Sequence, residues 1–354
     1  MEQKREIVRR YVSQGLRVKR AVDLIGISKG AYYYRPNGRP KGKQPSRYTK
    51  KADGSIVPNE EVVQEIIDLI SPEYNDYGYR TVWVLLQREG YKINPKKVHR
   101  LMKENQLLHP KVEKVEGVEK LFIKYTVPPL EHPFATVEVD IKYIHIDGEN
   151  RNAYLTTFFC TFSRFVAVWD LSYKMKSKQI IALLELFLSH PEVKGRMKKM
   201  ILRTDNGPQF ISRIFAEALK DRGIDHEFTH PGTPQQNGHI ESFHSTVTRL
   251  ICKRMTFESL QQARETFQEF FFQYNYTRVM KSLLYYPPAI FLKLWDRGMI
   301  GIKKDKNNKE IFFFREKPTP ELEAGLYSEV LGGKNKNNIF DYSVLNTNEI
   351  SPVL

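Results

Sequence analysis

From Thr136 onward the chain changes from helical to strand patterning, and this limits the fold more than any other feature. Three successive segments, 136–146, 153–162 and 165–171, are dense in Val, Ile, Thr and aromatic residues, and the turn residues Gly148, Glu149 and Asn150 follow the first. Such side chains suit a pleated, half-buried surface. Helical and strand patterns then alternate. A helix is predicted over 179–189, a strand over 200–204, and an amphipathic helix over 210–222 ended by Gly223. A strand over 225–229 leads into a turn-rich stretch, 230–238, and then a helix with Ile240, Phe243, Val247, Leu250 and Ile251 on one face. Three strands in a row followed by this alternation describe a mixed α/β sheet with helices packed on it. The aromatic run 267–276 reads as a packed helix. After about residue 302 the chain turns polar and rich in Asn and Lys, and a small β-type appendage, 301–354, is expected there.

The first part of the chain reads differently. Residues 1–52 hold 15 Lys and Arg against Glu2, Glu6 and Asp23, a local net of +12 out of +15 for the whole chain. So concentrated a charge points to a polyanionic partner such as DNA or RNA. In 1–35, Val18, Ala21, Val22, Leu24 and Ile25 supply an apolar helix face. Gly26 breaks it, and Ser28 is placed to cap a second short helix reaching Tyr34. This is the helix-turn-helix pattern, whose second helix enters the major groove, so Lys29, Tyr32, Tyr33 and Arg35 are candidate contacts. Residues 36–58, rich in Pro, Gly and Lys, read as a basic linker. Residues 59–110 read as a second all-helical unit, built on Val62, Val63, Ile66, Ile67 and Ile70, then Val82, Leu85 and Leu86, then Val98, Leu101 and Met102 behind Pro95. Its outward charges, among them Arg80, Lys96, Lys97 and Arg100, are further DNA candidates. A linker over 111–131 and a catalytic part over 132–300 complete the expected domain plan.

Exclusions follow as well. No apolar run approaches membrane-spanning length and MEQKREIVRR is not a secretory signal, so an intracellular, cytoplasmic chain is expected. Cys160 and Cys252 are too few for a disulfide framework or a Cys-rich zinc site and are expected to be buried free thiols. His226, His230, His239 and His244 invite a zinc hypothesis, but a structural site normally recruits thiolates or a closed four-ligand set.

If the partner is DNA, phosphodiester chemistry needs charge stabilisation at both the attacking and the leaving oxygen. Two divalent cations clamped by carboxylates can supply it, and oxygen ligands suit Mg²⁺. Asp140 lies inside the apolar run VEVDIKYI, with Glu138 two residues earlier on the same face of the strand, so either acid could be the ligand. Asp205 ends the strand ILRT and is followed by Asn206 and Gly207. It therefore stands at the carboxyl end of a strand, where ligand sites of open α/β sheets gather. Glu241 opens the helix after the 230–238 loop, off its apolar stripe. Lys142, Arg164 and Arg203 stand near these acids, either steering phosphate or solvating edges.

The segments VEVD, TDNGPQF and HPGTPQQNGHIE, with 35 residues between Asp205 and Glu241, resemble the Asp-Asp-35-Glu core of retroviral integrases and insertion-sequence transposases. VKRAVDLIGISKGAYYYR and YGYRTVWVLLQREGYKINPKKVHRLMKENQL resemble the helical N-terminal segments of second-reading-frame transposases of a large bacterial insertion-sequence family. The match covers roughly 15–295. It implies a ribonuclease-H-like α/β core preceded by small helix-turn-helix units. It also implies that Asp140, Asp205 and Glu241 bind two Mg²⁺ ions, with Mn²⁺ able to substitute. The activity implied is DNA strand cleavage and strand transfer at terminal inverted repeats, usually by a copy-out route through a circular intermediate. In this catalytic part Lys142, Asn206, His230, Asn237, His244 and Arg249 would meet DNA. A homodimer or larger assembly on DNA, a nucleoid-associated location and an upstream-frame partner polypeptide are further implications. Two departures stand out. Relatives carry Lys or Arg seven residues after the catalytic Glu, where this chain has Thr248, leaving Arg249 or Lys253 to substitute. The retroviral zinc module is also missing, which favours the insertion-sequence branch. The competing classes are a nuclease of the same fold and a non-catalytic DNA-binding relic, the second disfavoured by the intact acid set.

Overall fold

The computed structural model describes residues 1–34, 45–109, 130–196, 198–229 and 238–332. The chain divides into two compact units, Met1–Tyr48 and Thr49–Leu354. In the first, α1 (Glu2–Ser13), α2 (Val18–Ile25) and α3 (Lys29–Tyr33) close over Val8, Ala21, Val22 and Ile27. Gly26 ends α2 at φ 66°, a left-handed conformation that a Cβ disfavours. Ser28 Oγ accepts the Ala31 N–H at 3.0 Å and so starts α3.

The second unit opens with a three-stranded sheet. Its strands β1 (Tyr48–Lys51), β2 (Ile56–Pro58) and β3 (Tyr91–Lys92) lie in the order β2-β1-β3. Helices α4 (Asn59–Ile70), α5 (Tyr79–Arg88) and α6 (Pro95–Glu104) surround a core of Val62, Ile66, Val82, Leu86, Val98 and Leu101. The stretch 36–58 is therefore not connection throughout, and 59–110 is not all-helical. Strands of two to four residues are too short to carry a period, so pairing such as Lys50 with Lys92 leaves no trace in the sequence pattern. Pro95 stands in the first turn of α6, which Asn94 caps by accepting the Lys97 N–H at 2.8 Å.

The large sheet contains β4 (Thr136–Ile146), β5 (Arg151–Cys160), β6 (Val166–Ser172), β7 (Ile201–Thr204) and β8 (Asp225–Phe228), in the order β6-β5-β4-β7-β8. Strands β4, β5 and β6 are antiparallel, whereas β4, β7 and β8 run parallel. Parallel neighbours need crossover connections, here α7 (Ser177–Ser189) with α8 (Pro191–Lys194) before β7, and α9 (Arg213–Asp221) before β8. One face of the sheet is covered by α10 (Gly238–Val247) and α11 (Leu260–Tyr276), whose Phe243, Phe267, Phe270 and Phe271 pack with Leu155, Phe159 and Trp169. On the other, Val137 and Val139 meet α7, α9 and α12 (Pro288–Asp296).

The described residues beyond 300 are not a separate appendage. They form β9 (Ile300–Lys304), β10 (Glu310–Phe314) and α13 (Pro320–Leu331), and Ile300, Phe312, Leu326 and Val330 belong to the same apolar cluster as Val137. The Phe312 ring sits 4.9 Å from Phe162 and 4.8 Å from Phe291, centroid to centroid, so the hairpin supplies side chains that the sheet face needs. Cys160 is buried as expected from its strand. Cys252 is exposed, because it ends the π-helical turn Thr248–Cys252 rather than continuing α10. No helix among the described residues is long and apolar enough to cross a membrane.

A buried amide holds the start of edge strand β6. Asn275 Oδ1 accepts the Val166 N–H at 3.0 Å, and its Nδ2 donates to the Val166 carbonyl at 2.8 Å. Truncating Asn275 to Ala leaves both backbone groups buried without these partners, at a cost of about 2–4 kcal/mol. A thermal midpoint lowered by several degrees is expected in N275A, and an unchanged midpoint would show that β6 does not depend on this amide.

Candidate active site

Strand order brings two acids together. Val139 on β4 is in register with Thr204 on β7, so Asp140, within β4, and Asp205, just past the end of β7, stand side by side. Alternation along β4 turns Val137 and Val139 to the α7–α9 face, and Glu138 and Asp140 to the α10–α11 face. Asp140 Oδ1 accepts the Ile141 N–H at 2.8 Å, and its Oδ2 lies 3.2 Å from His244 Nδ1. Asp205 Oδ1 accepts the Gly207 N–H at 2.9 Å, while Asn206 Nδ2 donates to the Thr229 carbonyl at 2.6 Å and pins this turn to the end of β8.

Helix α10 brings the third acid. Glu241 lies in its first turn, three residues before His244 and on the same helix face. Burial raises the Glu241 carboxyl, the charge of Asp140 raises it further, and His244 opposes both. Burial likewise raises Asp205, opposed by the Gly207 N–H and reinforced by Asp140. Asp140 is thus the charge that both other acids feel. Three oxygen-donor carboxylates in one field fit a hard divalent cation, which would relieve their repulsion. Among the described residues, no group of three His, Cys, Asp or Glu is already closed into an ion cage.

Glu138, the sequence alternative to Asp140, does something else. It is fully buried, and its Oε2 accepts the Ile240 N–H at 2.7 Å, one of the first-turn donors of α10 that no helical carbonyl can reach. Its Oε1 has no hydrogen-bond partner among the described residues. Burial pushes this carboxyl up to about 7, against the Ile240 hydrogen bond and the charges of Arg203 and Arg164. Glu138 therefore fixes the helix that carries Glu241 to the strand that carries Asp140. The sequence held a signal for this, an acid inside a buried strand, but not its partner 102 positions away.

The remaining candidates are scattered. Lys29 and Tyr33 are exposed on α3, whereas Tyr32 is half-buried and packs edge-on against Tyr33. Arg80 and Lys96 are exposed, Lys97 is half-buried, and Arg100 is paired with Glu104 at 3.0 Å. Lys142 lies on the same face of β4 as Asp140, half-buried. His244 is only 9% exposed against Asp140 and Thr157, so it faces inward to the acids rather than outward to a duplex. Arg249 is turned to Asp76 by the π-helical turn. Arg35, His230 and Asn237 lie outside the described residues. Among the described residues the histidines form no common metal centre: His226 Nε2 meets Thr204 Oγ1 at 3.0 Å, whereas His244 meets Asp140. Burial and then the charges of Arg164, Arg203 and Lys309 hold the His239 imidazole down at about 3.

Parts of the chain match known protein families. Residues 131–234 and 222–288 match two models described as integrase core domain, and 58–114 match an HTH-like domain. Between them, the two integrase core domain models match residues 131–288. It is 27% identical over 82% of its length to the uncharacterized 39.2 kDa protein of insertion element IS476 from Xanthomonas euvesicatoria, spanning 77% of that protein. It is 22% identical over 77% of its length to the uncharacterized 31.7 kDa protein of insertion element IS407 from Burkholderia multivorans, spanning 89% of it. The transposase for insertion sequence element IS904 from Lactococcus lactis is 27% identical over 42% of this chain and 58% of its own. A retroviral integrase catalytic core, from HTLV-2 in complex with magnesium, aligns with 44% of this chain and 95% of its own at 20% identity and a TM-score of 0.33.

Because burial raises Glu138 above its ordinary 4.5 in the folded chain, folding favours its protonated form. Its contribution is most favourable below that ordinary range and is lost as pH rises through about 7. Glu138→Gln keeps an acceptor for Ile240 and cannot ionise. Between about pH 5 and about pH 8 the native chain should lose stability relative to E138Q by on the order of 3 kcal/mol in denaturant titrations. Parallel curves for the two proteins would show that this carboxyl does not titrate as its burial requires.

Proposed function

We propose that this chain is a DNA transposase, binding the terminal inverted repeats of an insertion element and carrying out strand cleavage and strand transfer with Asp140, Asp205 and Glu241. The observation that carries this reading is the neighbouring position of Asp140 and Asp205 on paired parallel strands, with Glu241 on the face of α10 whose His244 meets Asp140. Two bound divalent ions, Mg²⁺ or in its place Mn²⁺, would offset the charge that develops on the attacking and leaving oxygens of a phosphodiester. His244 orients Asp140, the Gly207 N–H orients Asp205, and Glu138 fixes α10 so that Glu241 closes the set. In the first step water attacks a phosphorus at the element end, breaking one P–O bond and freeing a 3′ hydroxyl. In the second, that hydroxyl attacks a phosphodiester of the target, making one P–O bond and breaking one. Neither step needs an outside energy source.

Recognition falls to the basic unit Met1–Tyr48 and to the HTH-like segment 58–114. The exposed Lys29 and Tyr33 of α3 suit major-groove readout, and Arg80 and Lys96 suit phosphate contact. Two element ends must meet, so at least two copies act together on DNA.

Two measurements test the reading. On DNA carrying the element's own ends, with Mg²⁺, Glu241→Gln should bind normally and lower nicking and joining by on the order of a thousandfold, the scale of losing one charge-stabilising group. If the native protein binds these ends but neither nicks nor joins them, the chain is a non-catalytic relic; nicking without joining would make it a nuclease. Separately, a chain beginning at Thr49 should bind the ends about tenfold or more weakly and with a shallower salt dependence, since most of the excess charge lies before it. Equal affinity and equal selectivity in the shortened protein would remove 1–48 from recognition.

A further inference from the structure

Beside the acids, on the neighbouring face of α10, lies a cavity of about 620 Å³ lined by Arg164, Arg249, Arg278, Lys281 and Lys309, with Asp76 as its one carboxylate. Asp76 is engaged by both Arg249 and Arg278, the latter at 2.6 Å, so a single acid answers two guanidinium groups. Arg278 also donates to the Tyr74 carbonyl at 2.7 Å, and its side chain is only 14% exposed. These contacts account for Arg249 and Arg278. They do not account for Arg164, Lys281 or Lys309.

Arg164 carries the strongest signal. It sits in the turn between β5 and β6 at φ 61°, a left-handed conformation that a residue with a Cβ adopts at a cost of about 1–3 kcal/mol. The turn is held by its N–H, which donates to the Cys160 carbonyl at 2.9 Å. Arg164 is half-buried, burial lowers its guanidinium, and the side chain makes no hydrogen bond or ion pair among the described residues. The nearest acid that it feels, Glu138, gives its one bonded oxygen to Ile240. A strained backbone that delivers a cation with no hydrogen bond or ion pair among the described residues is a double cost, offset only in part by the charge of Glu138. Buried charges are ordinarily paired, so a guanidinium in this position suits an incoming anion.

The shape and the other walls narrow the chemistry. The space suits one or two nucleotide units. Tyr77 and Tyr274 add aromatic surface, and the amino end of α10, with Gly238 and His239, adds the positive end of a ten-residue helix. Guanidinium groups match phosphate oxygens in geometry as well as charge. We propose that this cavity binds a phosphate of a single nucleic-acid strand, received by Arg164 with Lys281 and Lys309, at a place separate from the three carboxylates. The proposal deepens the transposase reading and rests on it for the identity of the strand. Because α10 lines the cavity and also carries Glu241, a strand anchored here is held next to the acids while its scissile group stays free to meet them.

The test is made on the full chain without divalent metal, so that it does not depend on strand chemistry. Binding of a fluorescently labelled single-stranded oligonucleotide is titrated over a range of salt for the native protein, Arg164→Gln and the double variant Lys281→Ala/Lys309→Ala. Lys194→Ala/Lys198→Ala removes the same charge from exposed positions outside the cavity. We expect R164Q and K281A/K309A each to lose about tenfold in affinity. The slope of log affinity against log salt should become shallower by about 0.7 for each phosphate released, while the control pair stays near native. The lysine pair is exposed and keeps the test open should R164Q fail to fold. Native affinity and slope in both cavity variants would overturn the proposal. So would thermal stabilisation by inorganic phosphate that R164Q abolishes while oligonucleotide binding is unchanged, which would assign the cavity to a free anion. A native protein that binds the strand through the cavity but never cuts with Mg²⁺ would sink the catalytic reading and leave this one standing.

Discussion

One buried hydrogen bond links the parts on which the site depends. Glu138 reaches from the interior of β4 to the Ile240 N–H in the first turn of α10, a donor that the helix itself cannot satisfy. Without it, the start of α10 would have no polar tie to the sheet, leaving the His244 contacts one turn further on and apolar contacts such as Phe243 on Phe159, which fix distance better than they fix rotation or register. With it, the helix start is held at one point of the strand, and Glu241 and His244 follow as rigid consequences on one helix face. The energetic cost is plain in the carboxyl itself, raised to about 7 by the same burial that makes the bond directional. Neighbouring acids then inherit a crowded field, and this is the property a cation site needs.

Much of this was legible in the sequence, for physical reasons. The strands β4 to β8 and the helices around them are long enough to show their period, and their apolar faces match the two observed cores. Gly26, Ser28, Asn94 and Pro95 act at the helix ends where their chemistry placed them. What stayed hidden is of two kinds. The short strands β1 to β3 are too brief to carry a pattern and exist through pairing between segments some forty residues apart. The hairpin and helix after residue 300 look polar on average, yet Phe312, Leu326 and Val330 are the few residues that decide where the segment goes.

The site divides in the same way. Residue type and spacing singled out Asp140, Asp205 and Glu241, and parallel register places the first two beside each other. Spacing could not tell Asp140 from Glu138, because both face the same side. Only burial and the contact with α10 separate a carboxylate that meets solvent from one that holds a helix. Nor could it assign His244 and Arg249, both read as reaching for DNA. A π-helical turn after α10 changes the direction of every side chain that follows it, and Arg249 meets Asp76 instead. Asp76 in turn binds Arg278, joining the HTH-like segment to the end of α11 through side chains more than two hundred positions apart.

The closing layer of the sheet has a consequence for how the protein comes into being. Val137 near the start of β4 shares its apolar cluster with Leu326 and Val330 of α13, almost the last described element. During synthesis the sheet emerges first and must wait with one face uncovered until α12, the β9–β10 hairpin and α13 have left the ribosome. Contacts so far apart in sequence form slowly, and an uncovered apolar face invites aggregation in the interval. A chain interrupted between α10 and α13 therefore has all three acids and an incomplete core.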